Sequence, residues 1–139
     1  MLTLAIVKPD AVAGGKTGKV LAHLEAAGFV VRAARMVKLS RAQAEAFYEV
    51  HQGRPFFDSL CTFMTSGPCV PMVLERKDAV AHLRKVIGAT DPAQAEPGTV
   101  RKLFAESKER NAIHASDSDE NAAREASFFF SETELIEAS

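Results

Sequence analysis

The feature that most constrains this chain is its start. Leu2 to Val7 is a short, nearly continuous apolar run closed by Lys8 and Pro9. A run of that length ended by a proline reads as a buried central strand, with Lys8 at its C-terminal mouth on the rim of a sheet. The run carries no basic leader and no small-residue cleavage site, so it is not expected to be a secretion signal. No stretch approaches the roughly 18 apolar residues of a membrane span. The expectation is a cytoplasmic protein without membrane partners.

The next residues, Gly14-Gly15-Lys16-Thr17, end like a phosphate-binding loop, but the position that needs the first glycine is Asp10. A strand-to-helix connection fits better, with Val20, Leu21, Leu24 and Ala27 on one helical face and Gly28 in the left-handed cap position. The valine-rich stretch 29–39 predicts a second strand. Ser40 and Gln43 form a capping box for a helix carrying Ala44, Phe47 and Tyr48, and Gly53-Arg54-Pro55 breaks it. Pro55 is placed to start another helix, in which Phe56, Leu60, Phe63 and Met64 recur until Gly67-Pro68. Two tandem helices make a hairpin able to fold over a site.

A third strand is expected over Cys69 to Glu75, with Pro71 demoting it to an edge or a bulge. Lys77 to Ile87 reads as a helix whose apolar face is Val80, Leu83 and Ile87, with Arg84 directed along that buried side. Gly88 to Gly98 is a long exposed loop, and Thr99 caps a short helix bearing Arg101 and Lys102. A brief, partly exposed last strand is expected at 112–116, then a helix from Asp117 or Ser118 with 117–120 as its capping box. A second such box, Ser131 to Glu134, docks a tail through Leu135 and Ile136. This order of elements predicts an α+β sandwich, with helices covering an antiparallel sheet.

Residues 1–139 are expected to form a single domain, because the length suits one core and neither a repeat nor a flexible linker interrupts it. With 47% hydrophobic and 25% charged residues the chain is neither disordered nor fibrous. A net charge of −1 argues against bulk nucleic-acid binding, so any anion site must be a local cluster. Cys61 and Cys69 match neither a zinc knuckle nor a redox pair and read as buried thiols of a reducing compartment.

Chemistry concentrates in Asn111-Ala-Ile-His114-Ala-Ser-Asp-Ser118. A neutral imidazole needs no partner to free a nucleophilic nitrogen, which makes His114 the candidate nucleophile. Ala115, Ser116 and Ser118 leave room beside the ring, while Asn111, Ser116 and Asp117 offer hydrogen bonds to fix its tautomer. Lys8, Arg84 and Arg101 come from three separate segments. If they converge on His114 they make a cationic pocket suited to a polyphosphate, beside which Phe56 could stack on a base.

The His114 octapeptide resembles the signature of the nucleoside diphosphate kinases. The likeness extends through Val7-Lys8-Pro9-Asp10-Ala11, Arg54-Pro55-Phe56-Phe57, Met64-Thr65-Ser66-Gly67-Pro68, Gly88-Ala89-Thr90-Asp91-Pro92, Gly98-Thr99-Val100-Arg101 and Glu120-Asn121-Ala122-Ala123. It implies a ferredoxin-like βαββαβ sandwich with an added helical hairpin and the long loop. It also implies transfer of the terminal phosphoryl group of a nucleoside triphosphate to a nucleoside diphosphate through a phosphohistidine at His114. By the same resemblance Lys8, Arg84, Thr90, Arg101 and Asn111 hold phosphates and sugar, and Phe56 stacks on the base. Tyr48 and Glu125 support the histidine and Ser116 fixes that support. Magnesium (Mg2+) would bridge the phosphates, with Asp117 at most a water-mediated ligand, and the assembly would be a hexamer or a tetramer.

Two positions depart from the family pattern. Ala115 stands where glycine is usual, at a cost of roughly 1 kcal/mol if that position takes positive φ, and Pro71 interrupts a strand. The competing readings are a phosphocarrier charged by another protein and a non-catalytic nucleotide-binding or scaffold domain. His51 is the next histidine to test as nucleophile.

Overall fold

A computed structural model describes residues 1–136. Strand β1 (Leu2–Val7) lies inside a four-stranded sheet of order β2-β3-β1-β4, paired antiparallel on one side with β3 (Val70–Glu75) and on the other with β4 (Ile113–Ala115). Strand β2 (Val30–Ala34) pairs antiparallel with β3 and forms one free edge, while β4 forms the other. This is the topology of the expected ferredoxin-like sandwich.

The apolar start is continuous because β1 is covered on both faces. Ala5 and Val7 join Met72 and Leu74 in a core completed by helices α2 (Thr17–Ala26), α5 (Ala79–Ile87) and α6 (Val100–Phe104). Leu4, Ile6 and Val73 face the other way, against α3 (Arg41–Phe47), α4 (Phe57–Met64) and α7 (Asp119–Phe129). Helices α3 and α4 are the expected hairpin, joined through a single 3-10 turn at Glu49–His51. Helix α8 (Glu132–Leu135) closes the described chain behind the Ser131 capping box.

Several boundaries differ from expectation. A short helix, α1 (Pro9–Ala13), follows β1 directly, with Pro9 serving as a helix starter as well as a strand terminator. The second strand is shorter than 29–39: its pairing with β3 ends at Ala34, beyond which Pro71 offers no N–H to continue it, and Val37 returns only as an isolated bridge to Cys69, while within the strand the register slips between Val31 and Ala33. Pro55 lies two residues ahead of α4, whose cap residue is Phe56. The α7 cap is Ser118, which accepts from the Asn121 backbone N–H at 3.1 Å, so the reciprocal box to Glu120 does not form.

Pro71 marks β3 as an edge or a bulge in the sequence, yet β3 is an inner strand, and the register shift against β2 lies opposite Leu74 and Val73, not at the proline. Its carbonyl accepts from Arg35 N–H at 3.2 Å, so the side of the proline that lacks a donor faces β2 just beyond that strand's end. One ladder bond is missing, and the β1 side is untouched. Ala115 lies within β4 and its φ is not positive, so the strain considered for it does not arise. The left-handed residues other than glycine, among those described, are Asp78 and Ala112.

Candidate active site

Strand alternation aims the imidazole. His114 stands opposite Ile6 of β1, so it emerges on the α3 and α7 face while Ile113 and Ala115 point into the opposite core. Its ring meets Phe47 edge-on at 5.4 Å and Tyr48 at 6.1 Å between centroids. Helix α7 brings Glu125 Oε1 to 2.7 Å from His114 Nε2, with the two side chains only 19% and 12% exposed. Ser116, fully buried, donates its hydroxyl to the same carboxylate oxygen at 2.7 Å. An ionised carboxylate can only accept, so the proton sits on Nε2 and Nδ1 keeps the free lone pair.

The cations converge from the ends of other elements. Lys8, at the mouth of β1, is buried and donates from Nζ to Asn111 Oδ1 at 2.8 Å. Burial above all, and then the nearby Arg101, push its ammonium down to about 8, against the opposing pull of Asp10 and Glu109. Asn111 passes its amide N–H to the Thr90 carbonyl at 3.2 Å, tying the long loop to the end of the sheet. Arg101, buried on α6, donates to the Gly88 and Ile113 carbonyls at 3.0 and 2.8 Å, while its Nε is buried without a partner. Burial and then Arg84 lower its guanidinium to about 10. Arg84, expected along the buried side of its helix and so either snorkelling at the core's edge or aimed into a cleft, is exposed beside the apolar stripe, where it faces the cleft and reaches the Ala115 carbonyl at 3.4 Å.

These side chains surround one open cavity of about 940 Å³. Every residue expected to act on the nucleotide, the metal or the histidine lines it except Ser116, which sits behind Glu125. Phe56 stands at the mouth, 47% exposed and edge-on to His51 at 5.2 Å. Tyr48 packs against His114 through its ring alone: its hydroxyl is buried without a partner, and burial raises its pKa. Asp117 is exposed, and a 2.6 Å bond from Asn121, aided by Arg84 and His114, holds its carboxyl below the usual range.

Sequence reasoning passed over Asn121 and Arg124. Arg124 donates to the Ala46 and Phe47 carbonyls, both at 2.7 Å, and so clamps the end of α3 to the helix that carries Glu125. A helical arginine on a polar face gives no such signal in advance, because its acceptors belong to the exposed end of a distant helix.

A family model described as nucleoside diphosphate kinase matches residues 2–135. The chain belongs to the nucleoside diphosphate kinase family. Among curated relatives, a nucleoside diphosphate kinase of Chlorobium chlorochromatii is 56% identical over 134 residues, covering 96% of this chain and 96% of the relative. That of Salinibacter ruber is 52% identical, covering 96% and 94%. Among solved structures, the Aquifex aeolicus nucleoside diphosphate kinase superposes with a TM-score of 0.94 at 45% identity over 97% of this chain and 98% of the other. A halophilic family member from Halobacterium salinarum, solved in complex with CDP, gives 0.93 at 35% identity over 100% and 93%.

Proposed function

We propose that residues 1–139 form one catalytic domain that moves the terminal phosphoryl group of a nucleoside triphosphate, typically ATP, to a nucleoside diphosphate in two half-reactions through His114. The observation that carries this is the Nε2 bond to Glu125 inside a cavity that Lys8, Arg84 and Arg101 make positive. In the first half-reaction the Nδ1 lone pair attacks the γ-phosphorus, an N–P bond forms, and the bond to the bridging oxygen breaks to release the diphosphate. The Nε2 proton stays against Glu125, which compensates the charge the ring gains. In the second, a terminal oxygen of a different diphosphate attacks the same phosphorus and the N–P bond breaks. A covalent carrier lets one pocket serve donor and acceptor in turn.

Lys8, Arg84, Arg101, Thr90 and Asn111 hold the phosphates and the sugar. Phe56 stacks on the base, and Tyr48, Ser116 and Glu125 position the ring. Stacking without reading base edges supports a broad choice of nucleoside.

Among the described residues no group of three or more His, Cys, Asp or Glu could cage a metal. One exposed, ionised carboxylate beside a polyphosphate pocket fits magnesium held mainly by substrate oxygens and water, with Asp117 as an outer ligand. When bound, the ion would offset the charge of the phosphates.

Homo-oligomer formation, as hexamer or tetramer, is supported by the free β2 edge, where Val30 is 57% exposed and Met36 just beyond is 59% exposed. Sedimentation decides between them. Two buried free thiols, and no described helix long and apolar enough to cross a membrane, suit a reducing cytoplasm.

One assay tests the relay. Incubation with labelled ATP and magnesium, followed by removal of nucleotide, leaves acid-labile phosphate on the protein that CDP collects as CTP. His114→Ala abolishes the label; label persisting in that variant moves the nucleophile, with His51 next in line. Absence of label on the native chain favours a scaffold, and label that no diphosphate collects favours a carrier charged by a protein.

A further inference from the structure

The turn that delivers His114 to β4 is strained. Ala112 is completely buried at φ +74°, and the Ile113 N–H donates across it to the Asn111 carbonyl at 2.9 Å. That is a three-residue turn in its rarer form, with an L-residue in a sparsely populated region. Alanine carries no group that would hold itself there.

The segment after β1 does the holding. Asp10, buried in the first turn of α1, accepts the Ala112 N–H on Oδ2 at 3.0 Å, and the Lys8 N–H donates to the Ala112 carbonyl at 2.9 Å. Both ends of one strained residue are therefore tied to the same short stretch. The flanking residues are the ones that matter for chemistry. Asn111 accepts from the Lys8 ammonium and reaches Thr90, and His114 follows two residues after Ala112.

We propose that Asp10 is a positioning residue: its carboxylate pins the Ala112 peptide and thereby sets both the aim of Asn111 and the entry of His114 into β4. It touches no reacting atom, and the proposal rests on the roles given above to His114 and Asn111. Removing the acceptor leaves the buried Ala112 N–H unpaired, and the turn relaxes by rotating the peptides on either side of it. Both side chains then shift. Glycine adopts either sign of φ without a steric demand, so Ala112→Gly placed in an Asp10→Ala chain removes the need for the clamp without restoring it. A residue that only stabilises the fold has no reason to be rescued in this way.

The test compares the native chain, Asp10→Ala, Asp10→Asn and the double variant Asp10→Ala/Ala112→Gly, each well below its own melting midpoint. Two quantities are read: the single-turnover rate of histidine phosphorylation from labelled ATP and magnesium, and the affinity for ADP. Asp10→Ala slows phosphorylation about tenfold or more and weakens ADP, the double variant recovers much of both, and Asp10→Asn, which keeps an acceptor oxygen, falls between native and Asp10→Ala. Three results overturn the proposal: native behaviour of Asp10→Ala, a double variant no better than Asp10→Ala, or Asp10→Asn as impaired as Asp10→Ala. Should Asp10→Ala not fold, a folded and labelled double variant supports the clamp and an unfolded one overturns it. A native chain that takes no label refutes the relay itself, and the ADP affinities of the same variants then decide the clamp by the same ordering.

Discussion

Lys8 pairs a charge with an environment that disfavours it. Its ordinary value of 10.5 drops to about 8 because burial and Arg101 outweigh Asp10 and Glu109, and Asn111 supplies only a neutral acceptor. The empty site therefore keeps its ammonium below about pH 8 and loses it above. ADP affinity is expected to hold steady to about pH 8 and then fall with rising pH, by up to about tenfold per unit. Titration calorimetry from pH 6.5 to 9.5 checks this, and Lys8→Gln should flatten the curve; a native curve that stays flat through pH 9 contradicts the assignment. The sign for folding is opposite. A depressed lysine penalises the folded state while both states are charged, so the empty protein gains stability as pH climbs from about 8 towards 10.5. The importance of Lys8 was legible because proline closes an apolar run beside it. The role of Asp10 was not legible, since a carboxylate that serves a backbone N–H about a hundred residues away leaves no local pattern.

Helix α7 shows how one element joins packing to chemistry. Ala122, Ala126 and Phe129 recur at helical spacing toward the core, which leaves Glu125 beside that stripe to meet His114 and Arg124 free to grip α3. All of this depends on where the helix starts. Ser118→Ala removes the cap to Asn121 and is expected to cost about 1 kcal/mol in urea unfolding, with phosphorylation slowed as the first turn frays. An unchanged midpoint would mean that the tertiary contacts of α7 alone define its first turn. The helix itself is readable from its period and its start falls on Ser118, one of the two residues the sequence offers, while the capping box over 117–120 does not form. Asp117, Ser118, Asp119, Glu120 and Asn121 offer overlapping capping patterns, and only the backbone decides which side chain is used. The same limit applies to β2, whose valines announced a strand while the slip at Arg32 inside it left no trace in composition.

Across the whole molecule, the cavity draws on the end of β1, the α3–α4 hairpin, α5, the loop holding Thr90, β4 and α7. Assembly from such distant pieces exists only in the folded state, so a nucleotide stabilises the entire chain. ADP at about a hundred times its dissociation constant should add about 2.7 kcal/mol and raise the melting midpoint by roughly 8–12 °C. Differential scanning fluorimetry reads this directly, and Lys8→Met should shrink the shift; no shift at saturation would show that the unfolded chain binds equally well. Sequence order was enough to foresee the architecture because ordered motifs and alternating elements constrain each other. What it withheld were the turns, where one backbone angle outweighs side-chain pattern. The sheet keeps the two apolar layers apart along its length, with the helices that carry Arg84 and Arg101 on one side and the imidazole on the other. A polyphosphate lying over its end is thus a rivet through both plates, and each catalytic cycle sets that rivet when substrate arrives and draws it out when product leaves.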